Sequence, residues 1–225
     1  MRLAVILSLF FIIGVAVPSL FPKQFPFLHS LSVDTDPENM LSNDEPVRIF
    51  HNERKKEYSL YDMIVVGIVN KTNPNGVFNT QSLNDIYTLS EYAREISWNN
   101  DNGENQGVIE AEMIAPSNVD SIEQAGLGTV RFEWLMKTPP KTEAEAKAIY
   151  EKASHIPFLD NTLVSGDGKA MALYIPITSK DISYKVAQQL KDKIASFGDT
   201  QDEYHITGLP IAQDTFGVEM FIQMA

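Results

Sequence analysis

The chain has 225 residues, with 30 acidic against 18 basic side chains and a net charge of −12. Such a surface repels nucleic acid and anionic headgroups. The absence of cysteine excludes disulfides, a thiolate metal site and a cysteine nucleophile. With 44% hydrophobic residues, the roughly two hundred residues after the N-terminal run can bury one substantial core or two small ones.

Leu3 to Phe21 is uncharged and mostly apolar. As a helix it would be roughly 28 Å long, close to the thickness of a bilayer hydrocarbon core. Arg2 as a minimal basic start, Leu3 to Ile13 as an apolar centre, and the small residues Gly14 and Ala16 also suit a cleaved secretory signal. The apolar run continues through Val15, Val17, Leu20 and Phe21, which favours an anchor. Either reading exports the remainder of the chain, and Arg2 as the one basic residue before the span fits a cytoplasmic N-terminus.

Residues 22–60, with prolines at 22, 26, 37 and 46, read as an extended lead-in. Asp62 to Val69 is a β-branched, continuously apolar run closed by Asn73-Pro74-Asn75-Gly76, as expected of a strand covered on both faces. Ser82-Leu83-Asn84-Asp85 resembles a capping box, and Leu83, Ile86, Tyr87, Ala93 and Ile96 recur at helical spacing, so a helix is expected over Ser82 to Ile96. Val108 to Ile114 reads as a strand, Asn118 to Gln124 as a short helix stopped by Gly126 and Gly128, and Val130 to Met136 as strand or helix.

Thr142-Glu143-Ala144-Glu145 opens a helix to about Ser154 with the apolar stripe Ala144, Ala148, Ile149 and Ile156. Leu163-Val164 and Ala170 to Ile177 flank Ser165-Gly166-Asp167-Gly168-Lys169, the pattern of a hairpin. Ser183 to Phe197 is a further helix, with Val186, Leu190, Ile194 and Phe197 on one side, and Tyr204 to Thr207 a last strand. The alternation suits an α+β fold of the split β-α-β kind, with helices on one face of a mixed sheet.

Chemistry is sparse. Asp34, Asp36 and Glu38 at i, i+2 and i+4 have a spacing open to calcium or magnesium, and equally that of a helix start around Pro37. His29, His51, His155 and His205 stand far apart. No nucleophile elbow or phosphate loop occurs, so no catalytic residue, metal ligand or cofactor is expected. Asn70-Lys71-Thr72 matches a glycosylation sequon, a pattern that also arises as a plain turn. Phe78, Tyr87, Tyr92, Trp98, Phe132 and Trp134 are candidates for an apolar groove or for core and rim. The chain ends on an apolar helical stretch without a polar tail, as expected of part of something longer.

Four segments taken in order carry a family resemblance: Asp34-Thr35-Asp36-Pro37-Glu38-Asn39-Met40-Leu41; Ser59-Leu60-Tyr61-Asp62-Met63-Ile64-Val65-Val66-Gly67; Ser165-Gly166-Asp167-Gly168-Lys169-Ala170; and Gly208-Leu209-Pro210 through Met224-Ala225. Together they resemble the N-terminal part of exporters of the resistance-nodulation-division (RND) superfamily, in its MMPL-like hydrophobe/amphiphile branch. The resemblance implies a transmembrane helix over 1–21, the lead-in over 22–60, a ferredoxin-like extracytoplasmic porter domain over 61–210, and a helical linker over 211–225 toward a second span. It further implies a cytoplasmic (inner) membrane location with the main domain on the periplasmic side. The implied partners are the bilayer, a lipid or other amphiphilic substrate, and a remaining transmembrane part that carries the proton relay. The alternatives are a solitary membrane-anchored binding or adaptor protein and a secreted hydrolase.

Overall fold

The computed structural model describes residues 2–20, 37–213 and 215. It divides into two units, residues 1–43 and 44–225.

The first unit contains helix α1 (Arg2–Leu20) and a 3-10 turn at Pro37–Met40. In α1 the side chains from Leu3 to Ile13 are exposed, Phe10 and Phe11 each at 74%. Its described side chains, residues 3–14, cover a length of ~18 Å at the α-helical rise. Among the described residues no helix is long and apolar enough to cross a membrane.

The second unit is α+β and opens with helix α2 (Pro46–Glu57), where the sequence reads as extended lead-in. Proline at the first turn has no N–H to lose, and Arg54, Lys55 and Lys56 in the last turn complement the negative end of the helix dipole. The prolines that suggest extended chain thus include one that starts a helix. No side chain of α2 is buried, and Lys55 reaches the following strand by an ion pair with Asp62 at 2.9 Å.

Strands β1 (Asp62–Val69), β6 (Ala170–Ile177) and β7 (Glu203–Thr207) form the main sheet in the order β6-β1-β7. Both pairings are antiparallel, so the expected mixed sheet is antiparallel throughout. Ile64, Val66 and Ile68 lie opposite Ile175, Leu173 and Met171, and all six are buried. The intervening β1 positions are only half-buried. The uninterrupted apolar run of β1 therefore has one closed face rather than two, since antiparallel sheets tolerate a partly wetted side.

Helix α3 (Thr80–Arg94) buries Leu83, Ile86, Leu89 and Ala93 in this core, and α5 (Ser183–Ala195) buries Val186, Ala187 and Leu190. Ile194 and Phe197 pack partly buried against the same core. The cap of α3 is Asn79, whose side chain accepts from the Ser82 N–H at 2.9 Å. Ser82, the expected cap, lies instead inside the helix on its buried side. Both residues are good caps, and Asn79 wins because the Ser82 hydroxyl is spent on Asp202, to which it donates.

Between α3 and β6 come β2 (Ser97–Asn99) and β3 (Asn105–Gly107), a small hairpin, then β4 (Asp120–Gly126) and β5 (Thr129–Trp134), a second one, and α4 (Glu143–Ser154). The expected helix over Asn118 to Gln124 is thus a strand. A ladder to β5 satisfies its backbone, and Gly126 and Gly128, read as a helix stop, make the turn of a hairpin. The expected strand over Val108 to Ile114 is broken by a 3-10 turn at Glu110–Glu112, where Arg94 Nε donates to Glu110 at 3.1 Å. Its two ends still bridge the outer edge of β6, Val108 opposite Ile177 and Ile114 opposite Tyr174.

Thr142 caps α4 as expected, but the stripe that α4 buries is Ala146, Ile149 and Ala153. Before β6, Val164 pairs with Met171 as an isolated bridge, and the Ser165–Lys169 turn is closed by Ser165 N–H donating to Ala170 O at 3.0 Å. Gly76 at φ +59 packs its backbone onto this turn, and a Cβ there would stand 2.2 Å from Gly168 O.

Candidate functional site

The β4–β5 hairpin presents an exposed apolar surface. Strand alternation puts Val130, Phe132 and Trp134 on one face of β5, and Ile122 of β4 lies directly opposite Phe132. Ile122, Val130, Phe132 and Trp134 are all exposed, Phe132 at 70%, and Leu127 in the turn is wholly exposed. The opposite face is polar and tied down: Ser121 is buried, and Glu133 pairs with Lys152 of α4 at 3.2 Å and with Arg131 at 3.6 Å.

Three shallow grooves surround the base of this hairpin. One of about 510 Å³ is lined by Asp120, Phe132, Glu133, Trp134 and Lys137. A second, of about 390 Å³, lies between Ser121 and Ile122 and the α4 side chains Ala148, Glu151, Lys152, His155 and Ile156. The third, of about 260 Å³, runs under residues 133–140 against α4. Each groove mixes apolar side chains with charges of both signs: Asp120 and Glu133 beside Lys137, Glu151 beside Lys152, and Glu133 and Glu145 beside Lys137 and Lys152.

A second cluster lies at the end of β1. Asp202, 8% exposed, accepts at Oδ1 from Asn70 Nδ2 at 2.7 Å and from Ser82 Oγ at 2.8 Å. Its Oδ2 is buried and has no hydrogen-bond partner among the described residues. Asp85, on the same helix face as Ser82, is 7% exposed and accepts from Gln81 at 2.9 Å. Burial raises the Asp85 pKa above the usual carboxylate range, and the nearby Asp202 adds to that. The Tyr204 hydroxyl is also buried, facing Thr200 without a well-formed hydrogen bond among the described residues. Burial first, then the charges of Asp202 and Asp85, push the Tyr204 phenol far above its ordinary value. Through Asp202 this network ties the end of β1 and the approach to β7 to α3.

The sequence candidates disperse. Asp34 and Asp36 lie outside the described residues, as does His29, while Glu38 sits in the 3-10 turn. His51 is on α2, His155 caps α4, and His205 is exposed on β7. Among the described residues no group of three His, Asp or Glu side chains can hold a metal ion. Phe78 is core, its ring tilted against that of Tyr150 with centroids 4.8 Å apart, and Tyr87, Tyr92 and Trp98 pack partly buried against the core. Of the six candidate aromatics, Phe132 and Trp134 share a groove. Asn70 is 2% exposed and its amide is spent on Asp202, so the sequon is a turn in the folded chain.

Sequence reasoning missed Asp85 and Asp202. The signal lay in the periodicity: Ser82, Asp85, Ile86 and Leu89 fall on one helical face, and Asp202, Tyr204 and Ile206 alternate in step. No family model, curated protein or solved structure matches the chain.

Proposed function

We propose that this chain is the N-terminal, extracytoplasmic amphiphile-handling part of a proton-driven membrane exporter of the RND superfamily's MMPL-like branch. In this reading α1 is the membrane anchor, the α+β unit is a ferredoxin-like porter domain outside the cytoplasmic membrane, and the proton relay belongs to the remaining transmembrane part. The observation that carries it is the exposed apolar face of β4–β5 set over grooves whose borders carry both carboxylates and the lysines Lys137 and Lys152. An alkyl tail would lie along Ile122, Phe132 and Trp134, shielded from water, with its headgroup among the charged side chains Asp120, Glu133 and Lys137.

The topology and the first helix support the same reading. The helices α3 and α5 join β1, β6 and β7 in a split β-α-β arrangement, and the broken segment 108–114 occupies the edge where a fourth strand would complete the ferredoxin-like order. The four ordered sequence segments add to it, and α1 carries no charged residue after Arg2.

A photoreactive fatty acid added to the full chain in proteoliposomes tests the site. Adducts mapped by peptide mass spectrometry should fall within residues 120–137 and 145–156, and excess plain fatty acid should remove them. Adducts confined to residues 2–20, or labelling of the α+β unit that excess fatty acid does not reduce, would refute substrate handling by these grooves.

A further inference from the structure

The turn of the β4–β5 hairpin has a chemistry of its own. From Gln124 to Val130 the sequence Gln-Ala-Gly-Leu-Gly-Thr-Val contains no ionisable residue, although 21% of the chain is charged. Leu127 at its apex is wholly exposed, flanked by Gly126 and by Gly128 at φ +77. Every position of β5 is exposed. A two-stranded hairpin in water is marginal by itself, so an apolar face of this kind is stabilised by whatever covers it.

Ile122, Leu127, Val130, Phe132 and Trp134 offer on the order of 500 Å² of apolar surface, at the upper end for a monomer's largest patch and short of the about 800 Å² per partner in stable complexes. A second copy is disfavoured further by the net charge of −12 on each chain. The charged groups of the hairpin, Asp120, Glu123, Arg131 and Glu133, lie on the strands and not in the turn. An uncharged apex bearing leucine, backed by phenylalanine and then tryptophan toward the base, is graded in the way that suits entry from water into an apolar phase.

We infer that the β4–β5 turn is a bilayer-contacting element that sets Leu127 into the interface of a zwitterionic membrane. The contact rests on the anchored reading for bringing the α+β unit to the bilayer. Its consequence is a short apolar path from lipid to the grooves at the hairpin base.

The lack of cysteine makes the test site-specific. Leu127→Cys in the full chain carries one environment-sensitive label in phosphatidylcholine vesicles, with Asn102→Cys in the turn between β2 and β3 as comparison. The label at position 127 should be quenched by brominated lipid and shielded from iodide, and the label at 102 should show the reverse. Adding Phe132→Asp, an exposed position, should abolish lipid quenching while near-ultraviolet circular dichroism stays unchanged, and substituting anionic lipid should weaken it. A label at 127 that stays open to iodide in chains that float with the vesicles would overturn the inference and leave the anchor intact. Shielding that rises with protein concentration irrespective of lipid would assign the surface to a second copy and overturn it too. Chains that do not float would defeat the anchor and this contact together.

Discussion

Removing the Asn70 side chain should cost more than its position at a strand end suggests. Asn70 Nδ2 donates to the buried Asp202 carboxylate at 2.7 Å, while its Oδ1 accepts from Thr72 N at 3.1 Å and from Asn73 N at 2.8 Å. A hydrogen bond to a charged group contributes about 1.5–3 kcal/mol, and the two turn bonds, open to replacement by water, about 1 kcal/mol together. Asn70→Ala leaves Asp202 with Ser82 as its remaining donor, so the expected loss is about 3 kcal/mol in urea unfolding at neutral pH, followed by tryptophan fluorescence. Asn70→Asp keeps the turn acceptors but replaces the donor by a second carboxylate. It should be at least as damaging at neutral pH and should recover as acid protonates the new group. A loss below about 1 kcal/mol for Asn70→Ala, or no acid recovery for Asn70→Asp, would refute the claim that this network fastens β7 to β1 and α3.

Asp85→Asn should stabilise the chain at neutral pH. Burial raises the Asp85 pKa, so the folded wild type is favoured while that group is protonated and loses stability as pH rises from the ordinary carboxylate range through the raised value. The two unfolding curves should coincide in acid and separate above that window, and equal pH profiles would contradict the burial argument. Gly76→Ala should cost more than ~2 kcal/mol, since left-handed strain of about 1–2 kcal/mol adds to a backbone clash at Gly168. Gly128→Ala, at φ +77 with nothing within 4 Å of the added Cβ, should show the strain alone, and urea midpoints separate the two. Lys185 Nζ lies 3.5 Å from the centroid of the Trp98 ring, and Lys185→Ala should cost about 0.5–1 kcal/mol and shift tryptophan emission.

The elements with strong periodic signals were legible in the sequence: β1, α3, α4, α5 and β7 fall where hydrophobic spacing puts them, to within a few residues. The hairpin β4–β5 was not. Gly126 and Gly128 read as a helix stop because glycine ends helices and also makes hairpin turns, and only long-range pairing with Thr129 to Trp134 decides between the two. The exposed aromatic face was half legible, since Phe132 and Trp134 stand in the sequence among four other aromatics that the core absorbs or partly covers. The acidic pair stayed hidden because Asp85 and Asp202 are 117 positions apart and come near one another where the segment before β7 meets α3 at Ser82. The 3-10 break at Glu110 depends likewise on Arg94, which no local pattern links to it.

The central claim is that α1 holds the α+β unit at a membrane with that unit on the extracytoplasmic side. Alkaline carbonate extraction of the full chain expressed in a bacterial host, followed by protease treatment of spheroplasts, tests this most directly. The chain should stay with the membrane pellet, and residues 44–213 should be cleaved from outside. Release into the supernatant by carbonate, or protection of those residues in intact spheroplasts, would contradict it.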